Sequence, residues 1–415
     1  MTRARRANSE WEERDTGAMR VLIATATAGG GHLAAAAAME EAWRSLRPED
    51  VVEKVDLVKF FSPLHRKLHA DGYLKLVEHA PEIWGIVFKK TDNLKQVRRL
   101  NRLKRLFSGK SRAKFINCLS VFEPDAVLCT HYLPLETLGA LRRRNMRRLR
   151  AEAIRGSRKR ERRTASAGGA PTEPMVVSIV TDFEAHALWM EECVDLYCVA
   201  AEETKARLIA RGARAENMIA TGIPIAAKFS QKIERRAVRK KLGLRDDQPV
   251  LLVLSGGFGM GPVGAIVDQL DRVELEFQVL VVTGRNEQMR RELAAAVRQH
   301  PTHVLGFADN MHELMAVSDL VVSKPGGLTS SESLAMGKPL FILNPIPGQE
   351  AANSDFLLER GAAAKANRVE DLPFRVGRLL ASERLAEMAK AARALGKPAA
   401  AKAICQTTVE RIQSQ

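Results

Sequence analysis

The sequence is poor in aromatic residues and contains no long hydrophobic run. Only 3 Tyr and 14 Phe occur among its 415 residues, whereas Ala, Leu and Val are abundant. This balance favours helices and parallel strands over a β-sandwich. No apolar run approaches the roughly 20 residues that a membrane-spanning helix needs, so we expect no transmembrane segment.

Cysteine is also scarce, and its spacing excludes both a disulfide framework and a zinc finger. The five cysteines are scattered, form no CxxC pair and have no His at metal-finger spacing. They are therefore expected to be reduced, mostly buried thiols of a cytoplasmic protein. The start of the chain is charged but lacks the apolar segment of a secretory signal. Residues 1–19 are predicted to be a disordered leader.

The chain is strongly basic, with a formal net charge of +16, and much of this charge lies in two segments. Residues 89–114 contain eleven Lys or Arg against one acidic residue, and residues 142–163 contain twelve against two. Such segments can be solvated surfaces, nucleic-acid contacts or contacts with anionic lipids. No nucleic-acid partner is expected, because neither segment has an interleaved aromatic platform or a known reading module. We favour anionic membrane lipids, which attract each basic residue at the surface by about 1 kcal/mol.

The length and the hydrophobic pattern predict an α/β fold with two doubly wound, Rossmann-like domains. A chain of 415 residues is too long for one ordinary core and suits two domains of about 200 residues each. Short apolar runs alternate with helical stretches, which is typical of parallel sheets. The alternation pauses near residues 222–225, and ligands are expected at the carboxyl ends of both sheets. The predicted strands are 21–26, 51–57, 126–129, 176–180, 196–199, 250–254, 278–282, 303–305, 320–322 and 339–343.

Three segments depart from this alternation. Residues 60–88 mix aromatic, aliphatic and basic side chains without a clear strand, directly before the first basic segment. They are interpreted either as helices packed on the sheet or as an interfacial surface whose apolar side chains dip into a membrane. Residues 151–174 are predicted to be a mobile surface loop. The Ala- and Lys-rich tail after Arg384 is predicted to be helical.

The stretch from Asp319 to Asn353 has the pattern of a nucleotide-diphosphate site. A buried strand is followed by a Pro-Gly-Gly turn and by a helix that carries Glu332 near its start. Paired glycines let backbone amides approach a ligand, and a helix N-terminus offers unpaired N–H groups to phosphate oxygens. Glu332 is placed to accept two hydrogen bonds from a ribose diol. The candidates for reading sugar hydroxyls are Gln349, Glu350 and Asn353.

This stretch resembles the donor-binding signature of the glycosyltransferases that attach sugars to diacylglycerol. The matching strings are KPGGLTSSESLAMGKP and PGQEAAN, within a resemblance that extends from about residue 20 to about residue 361. The family includes bacterial processive glucosyltransferases and plant monogalactosyldiacylglycerol synthases, and it is related to the peptidoglycan lipid-linked N-acetylglucosaminyltransferase. The resemblance implies a GT-B fold, an inverting mechanism and a lipid acceptor. Its other matching points are Gly29-Gly30-Gly31-His32, Thr181-Asp182-Phe183 with His186 and Trp189, and Ser255-Gly256-Gly257.

The resemblance also gives the predicted domains their roles. Residues 20–228 are predicted to form an N-terminal domain that binds the acceptor and the membrane. Residues 229–384 are predicted to form the nucleotide-sugar-binding domain. Residues 385–415 are expected to be a C-terminal helix that packs back on the first domain, as in GT-B enzymes.

Glycosyl transfer to an alcohol needs a base, and the candidates are His32 and Asp182. His32 follows three glycines at the mouth of the first strand, where the helix dipole is expected to keep its imidazole neutral. Alternatively, His32 caps this helix or binds a phosphate with Gly30 and Gly31. Asp182, at the end of a predicted strand, is an alternative base or orients the acceptor hydroxyl. His186 is expected to pair with Asp182 or to contact the acceptor, and the choice of base stays open.

The leaving diphosphate is expected to be stabilised without a divalent metal, and no cofactor is expected beyond the UDP-sugar. No DxD-type acidic pair lies where a metal-dependent enzyme would keep one, so backbone amides and helix dipoles must supply the stabilisation. In the relatives, the loop that matches residues 306–311 borders the uracil, so Phe307 and Met311 are either base contacts or core residues. The predicted donor-binding residues are Ser255, Gly256, Gly257, Phe307, Met311, Gly326, Gly327, Thr329, Ser330, Glu332, Gln349, Glu350 and Asn353.

Together these features predict a peripheral enzyme on the inner, cytoplasmic face of the cell membrane. It would move glucose or galactose from UDP-glucose or UDP-galactose to diacylglycerol and form a β-linked glycolipid. The alternatives are transfer to another lipid-linked acceptor, a soluble UDP-sugar epimerase of the same fold, and a lipid- or nucleic-acid-binding protein with a relict site. An epimerase would leave residues 60–114 unexplained, and the complete donor signature argues against a relict.

Overall fold

The computed structural model describes residues 17–27, 30–62, 80–93, 96, 109–156, 173–255 and 262–414. Within these ranges the chain forms two six-stranded sheets in which every paired strand is parallel. Helices separate the successive strands along the chain. The predicted α/β class, with two Rossmann-like halves, is therefore confirmed.

The first half contains one sheet with the strand order β2-β1-β3-β4-β5-β6. Its centre consists of short, continuously buried apolar runs, as expected of strands covered on both faces. The elements are β1 (Arg20–Thr25), α1 (Gly30–Leu46), β2 (Val51–Asp56), α2 (Pro81–Thr91), α3 (Gly109–Phe122), β3 (Ala126–Cys129), α4 (Tyr132–Gly156), β4 (Met175–Ile179), β5 (Leu196–Cys198), α5 (Glu202–Ala210) and β6 (Met218–Ile219).

The second half repeats this arrangement with the strand order β12-β11-β10-β7-β8-β9. The elements are α6 (Arg235–Leu242), β7 (Val250–Leu254), α7 (Val263–Leu270), β8 (Gln278–Val282), α8 (Glu287–Ala295), β9 (Thr302–Leu305), α9 (Met311–Val317), β10 (Leu320–Ser323), α10 (Gly327–Ala335), β11 (Leu340–Leu343), α11 (Gln349–Glu359), β12 (Ala363–Ala366), α12 (Leu372–Leu380), α13 (Arg384–Leu395) and α14 (Ala400–Gln413).

Each sheet has one point at which the order of the strands along the chain reverses. In the first sheet this point lies between β1 and β3, and in the second it lies between β10 and β7. Open parallel sheets bind ligands outside the carboxyl ends of the strands at such a point. His32 lies in the first turn of the helix after β1, and Gly327 begins the helix after β10, so both lie at these positions. The order of the strands alone therefore predicts the location of the candidate site.

The two halves share packed surfaces. One hydrophobic cluster combines Phe183, Ile223 and Phe229 with core residues of the second sheet. At the end of the chain, α14 packs on α1, and its Ile404 and Cys405 are fully buried in the core of the first sheet. The segment that links the two halves contacts the start of this helix at Gly222. The φ of Gly222 is +92°, a value that favours glycine. The predicted domain boundaries remain predictions.

Some sequence predictions need correction, and others lie outside the described residues. The predicted surface loop at residues 151–174 is wrong at its start, because α4 continues to Gly156. Two strands were missed, β6 with two residues and β12 with the sequence AAKA. Within the segment 60–88, Pro81 begins a helix, in agreement with the helical interpretation. The leader to residue 16 and the ranges 63–79, 97–108 and 157–172 lie outside the description.

Candidate active site

His32, in the first turn of α1, is locked in one orientation by the neighbouring strand ends. Its Nδ1 lies 2.9 Å from the carbonyl oxygen of Thr130, directly after β3, and 3.0 Å from Oγ1 of Thr181, shortly after β4. A carbonyl oxygen can only accept a hydrogen bond, so Nδ1 carries the proton and Nε2 holds the free lone pair. Burial lowers the pKa of His32 to about 4, against a smaller opposite effect of the Thr130 carbonyl. The imidazole is therefore neutral at pH 7 because it is desolvated.

An aromatic cluster surrounds this imidazole. The His131 ring meets the His32 ring edge-on at 4.6 Å, and the Trp189 ring lies 6.4 Å from it. Trp189 and His131 are both buried, and Nδ1 of His131 accepts a hydrogen bond from the Leu133 amide. Trp189 is packed in the hydrophobic core of the first half. Thr130 and His131 were not identified from the sequence, although they follow the predicted strand 126–129 in the same way that Asp182 follows its own strand.

Asp182 lies where the two halves meet. Its Oδ1 accepts a hydrogen bond of 3.0 Å from the side-chain amide of Asn353. Burial raises the pKa of Asp182 to about 7, the hydrogen bond from Asn353 opposes this rise, and the nearby Glu350 adds to it. A carboxyl group with this pKa is about half ionised near neutral pH and can exchange a proton there.

The loop that carries Asp182 touches the start of α10. A Cβ atom at Gly327 would lie 2.0 Å from the carbonyl oxygen of Thr181 and 3.2 Å from Oδ1 of Asp182. Gly327 is therefore required for the close approach of the two halves, in addition to its predicted role at a phosphate. From the first half, Gly31 approaches the same helix and faces the side chain of Leu328. Gly30 has open space around it.

His186 forms no hydrogen bond with His32 or Asp182, because both of its ring nitrogens are bonded to other groups. Nδ1 accepts from the Leu188 amide at 3.1 Å, so the proton is on Nε2, which donates to the carbonyl oxygen of Phe88 at 3.0 Å. The Phe88 ring lies 4.5 Å from the His186 ring, and burial lowers the pKa of His186. The expected pairing with Asp182 is not formed. In this structure His186 joins α2 to the loop after β4, and its predicted catalytic role gains no support.

The N-terminus of α10 has the geometry of an anion site. Gly326 adopts an extended conformation as the N-cap, and the first helical hydrogen bond runs from the Ser330 amide to the Gly326 carbonyl. The N–H groups of residues 327–329 come before this bond in the helix, so they can donate hydrogen bonds to an oxyanion. Thr329 is half-buried at this end, and Ser330 is fully buried. Oγ of Ser330 has no hydrogen-bond partner within the described ranges.

Glu332 lies one turn further along α10, mostly surrounded by protein. Burial raises the pKa of its carboxyl group to about 7, and the positive charge of Lys228 opposes this rise. Lys228 belongs to the 3-10 turn Ala227–Ser230, which contacts α10, and its ammonium group donates to the carbonyl oxygen of Asp309. Lys228 therefore favours the ionised, hydrogen-bond-accepting form of Glu332. Nothing in the sequence pattern pointed to Lys228, because it lies in the crossover between the halves.

The candidate sugar-reading residues differ in their surroundings. Glu350 is half-buried, and its Oε2 accepts a hydrogen bond of 2.8 Å from the Ile346 amide. Burial raises the pKa of Glu350, while that hydrogen bond and Lys324 oppose the rise. Gln349 is also half-buried, at the first position of α11. Asn353 is fully buried and bonded to both halves of the molecule.

The remaining donor candidates lie along the second sheet. Ser255 follows β7, and its hydroxyl donates to the Val282 carbonyl at 2.9 Å. Phe307 is 66% exposed and lies beneath the guanidinium of Arg285, so it is available for stacking rather than packed in the core. Met311 is partly buried against the core cluster. The predicted residues Gly256 and Gly257 lie outside the described ranges.

Helix α2 connects this site to an exposed apolar surface. Its Gly85 and Phe88 pack against the loop before α11, since a Cβ atom at Gly85 would lie 2.8 Å from Cβ of Pro347. On its outer side, Ile83 and Ile86 are each 55% exposed. The loop that leads into the candidate sugar-reading residues is therefore in contact with a helix that presents aliphatic side chains to the outside.

The described ranges contain neither a membrane-spanning helix nor a cluster of metal ligands. None of the helices found there is long and apolar enough to cross a bilayer. Groups of three or more His, Cys, Asp or Glu side chains that could hold a metal ion are likewise lacking in the described part of the chain.

Comparison with known proteins identifies the class of this chain. Residues 32–151 and 169–225 match the model of monogalactosyldiacylglycerol (MGDG) synthase. Residues 250–404 match the model of the glycosyltransferase family 28 C-terminal domain. With the two parallel six-stranded sheets, these matches define a UDP-sugar-dependent hexosyltransferase with a GT-B-like fold. The two models together cover most of the chain: the first half is similar to MGDG synthase, and the second half is similar to the glycosyltransferase family 28 C-terminal domain.

Individual relatives agree with this assignment. The chain is 27% identical over 374 residues to a processive diacylglycerol beta-glucosyltransferase of Bacillus pumilus, with 89% of each chain covered. It is 28% identical over 367 residues to the enzyme of the same name from Bacillus subtilis, with 88% of this chain and 87% of the relative covered.

Solved structures agree on the fold. MurG of Acinetobacter baumannii matches with a TM-score of 0.53 and 16% identity, over 94% of this chain and 99% of that one. A UDP-GlcNAc 2-epimerase of Neisseria meningitidis bound to UDP-GlcNAc matches with a TM-score of 0.57 and 15% identity, over 94% and 100%. At such low identity these likenesses establish the fold alone. An epimerase shares this fold, so the distinction between a transferase and an epimerase rests on the family models.

Proposed function

We propose that this protein transfers glucose or galactose from a UDP-sugar to diacylglycerol, with inversion at the anomeric carbon. The observation that carries the proposal is the junction at Thr181 and Asp182. Thr181 bonds His32 on one side, and its carbonyl abuts Gly327 of the phosphate-binding helix on the other. An acceptor hydroxyl at His32 and a donor diphosphate at α10 would thus meet across one short loop.

In this mechanism His32 takes the proton of the acceptor hydroxyl. Thr130 keeps the proton of the imidazole on Nδ1, so Nε2 is presented as the acceptor. The carboxyl group of Asp182, whose pKa is near 7, lies beside this hydroxyl as the alternative acceptor of its proton. As the hydroxyl oxygen attacks the anomeric carbon, the bond to the diphosphate breaks on the opposite face of the sugar, which inverts the configuration.

The donor is held by the second half. The amides at the N-terminus of α10 stabilise the negative charge that develops on the leaving diphosphate. The ionised carboxylate of Glu332 accepts hydrogen bonds from the two hydroxyl groups of the ribose. The exposed ring of Phe307 stacks on the uracil, and Gln349 and Glu350 contact the sugar. No divalent metal takes part in this scheme, since helix amides perform the task that a metal has in other transferases.

The enzyme is proposed to act at the inner face of the cell membrane as a peripheral protein. The exposed Ile83 and Ile86 of α2 would enter the interface, while the basic side chains attract anionic lipids. Because α2 also packs on the loop before α11, the membrane would deliver its lipid close to the donor sugar.

The test is transfer in mixed micelles of diacylglycerol and anionic lipid, with labelled UDP-glucose and UDP-galactose in parallel and EDTA present. We expect a labelled lipid product from one or both donors without added metal. Binding of UDP without any lipid product would reject the acceptor, and strict dependence on an added metal would reject the metal-free mechanism.

A further inference from the structure

Asn353 uses its whole side-chain amide to join the two halves of the molecule. Its Oδ1 accepts from the Phe183 amide at 2.8 Å. Its Nδ2 donates to Oδ1 of Asp182 at 3.0 Å and to the carbonyl oxygen of Pro325 at 3.0 Å. The side chain is fully buried. A carboxamide has two N–H donors, and both are engaged here, so Asn353 has no donor left for a sugar hydroxyl.

The partners of Asn353 lie on the two loops that must be aligned for transfer. Asp182 and Phe183 follow β4 of the first sheet, and Pro325 directly precedes the phosphate-binding end of α10. A second contact reinforces the junction, because the Phe183 ring stacks on Phe356 of α11 at 4.4 Å. The orientation of the Asp182 carboxyl group is thus set from the donor half.

We propose that Asn353 is a positioning residue for Asp182: its amide orients that carboxyl group and holds its loop against the start of α10. This proposal rests on the proposed function and departs from the sequence prediction for Asn353, since this residue acts on the catalytic loop rather than on the sugar. Loss of its N–H donor should disturb Asp182 and leave recognition of the sugar intact.

The charges around Asp182 determine whether loss of the Asn353 donor raises or lowers the pKa of Asp182. Glu350, also on α11, raises the pKa of Asp182 by repulsion, and Lys324 in turn acts on Glu350. From the first half, His32 bonds the adjacent Thr181 and is neutral near pH 7. Against burial and Glu350, the N–H donor of Asn353 stabilises the ionised carboxylate. Its removal must therefore raise the pKa of Asp182.

The experiment follows the carboxyl band of Asp182 by infrared difference spectroscopy during a pH titration, with Asp182→Asn to assign the band. Asn353→Ala removes the donor, and its titration midpoint should move up by about one pH unit, the usual effect of a lost hydrogen bond to a carboxylate. Ser354→Ala is the matched control, because Ser354 is equally buried on the same helix and its hydroxyl has no partner in the described part of the chain. Its midpoint should equal that of the wild type.

Asn353→Asp keeps the size of the side chain and serves if Asn353→Ala does not fold. It retains an oxygen for the Phe183 amide but brings a second carboxyl group to Asp182, so the midpoint should move up further. Affinities for UDP and for the intact UDP-sugar, measured by calorimetry, should stay unchanged in both variants. An unmoved midpoint would overturn the proposal, and so would selective loss of affinity for the UDP-sugar, which would assign Asn353 to the sugar. Neither measurement requires transfer to lipid, so failure of the proposed function would be seen separately.

Discussion

Nδ1 of His32 lies 2.9 Å from the carbonyl oxygen of Thr130, a residue 98 positions further along the chain. This contact joins the helix after β1 to the end of the neighbouring strand β3, at the point where the strand order of the first sheet reverses. It determines which nitrogen of His32 can take a proton. Burial, which lowers the pKa of the ring to about 4, keeps the imidazole neutral across the physiological range.

Replacement of His32 should therefore affect turnover and spare donor binding. We expect His32→Ala to lower kcat by about 10²–10⁴-fold, the usual contribution of a positioned general base. Affinity for UDP should remain at the wild-type value. His303→Ala, on the edge strand β9, is the control and should leave kcat unchanged. A full kcat in His32→Ala would transfer the role of base to Asp182.

Glu332 should make UDP affinity depend on pH. Burial raises the pKa of Glu332 to about 7, and only the ionised form accepts both ribose hydroxyls. The affinity should therefore be complete above pH 7 and decline as the pH falls through that value. Glu332→Gln should weaken UDP binding by roughly 10–100-fold, the equivalent of one or two charge-assisted hydrogen bonds.

Calorimetric titration with UDP between pH 5.5 and pH 8.5 measures this effect. The profile of Glu332→Gln records the ionisation of UDP itself and is subtracted. Glu292→Gln, an exposed carboxyl group on α8, is the control and should follow the wild type. Identical profiles for wild type and Glu332→Gln would exclude ribose recognition by this carboxylate.

The two glycines at the start of α10 should differ sharply in their tolerance of a methyl group. At Gly327 a Cβ atom would lie 2.0 Å from the Thr181 carbonyl oxygen, whereas at Gly326 no atom comes within 4 Å and φ is −64°. We expect Gly327→Ala to cost about 1–3 kcal/mol, as overpacking usually does, or to separate the halves. A lowered Tm and a large loss of kcat would result. Gly326→Ala should keep the wild-type Tm, and equal Tm values for the two variants would contradict this junction.

The outer face of α2 should be needed for lipid binding. Ile83 and Ile86 are each 55% exposed, and their transfer into the interface should contribute about 1 kcal/mol each. The double variant Ile83→Ser/Ile86→Ser should therefore sediment with anionic liposomes about 30-fold more weakly, with UDP affinity unchanged. Val297→Ser is the control, because Val297 is fully exposed in the second half. Unchanged sedimentation would locate membrane contact elsewhere.

The fold could be predicted where strands are long and buried. β7 is a continuous apolar run, β8 is apolar after Gln278, and the predicted bounds of both strands agree with the structure. β6 and β12 were missed because they are short edge strands, and AAKA lacks the β-branched side chains that indicate a strand. The hydrophobic pattern of a strand reflects the burial of its side chains, so this pattern is weakest in the edge strands of a sheet.

The site was predictable only as far as its residues follow strands and glycines in the sequence. Asp182 and Gly327 could be named in this way, and their predicted roles remain to be tested. Thr130, His131 and Lys228 could not, since their importance comes from contacts between residues about 100 positions apart. For Asn353 the sequence predicted contact with the sugar, whereas the structure places its amide among three protein partners.

The most direct test of the account is the structure of the reaction product. Purified enzyme would be incubated with diacylglycerol micelles, EDTA and a UDP-sugar, and the glycosidic linkage of the isolated lipid determined by NMR. We predict a β-linked hexosyl diacylglycerol formed from the α-linked donor, and its formation should be about 10²–10⁴-fold slower with His32→Ala. An α-linked product would contradict inversion, and an epimerised UDP-sugar without any glycolipid would contradict the transferase itself.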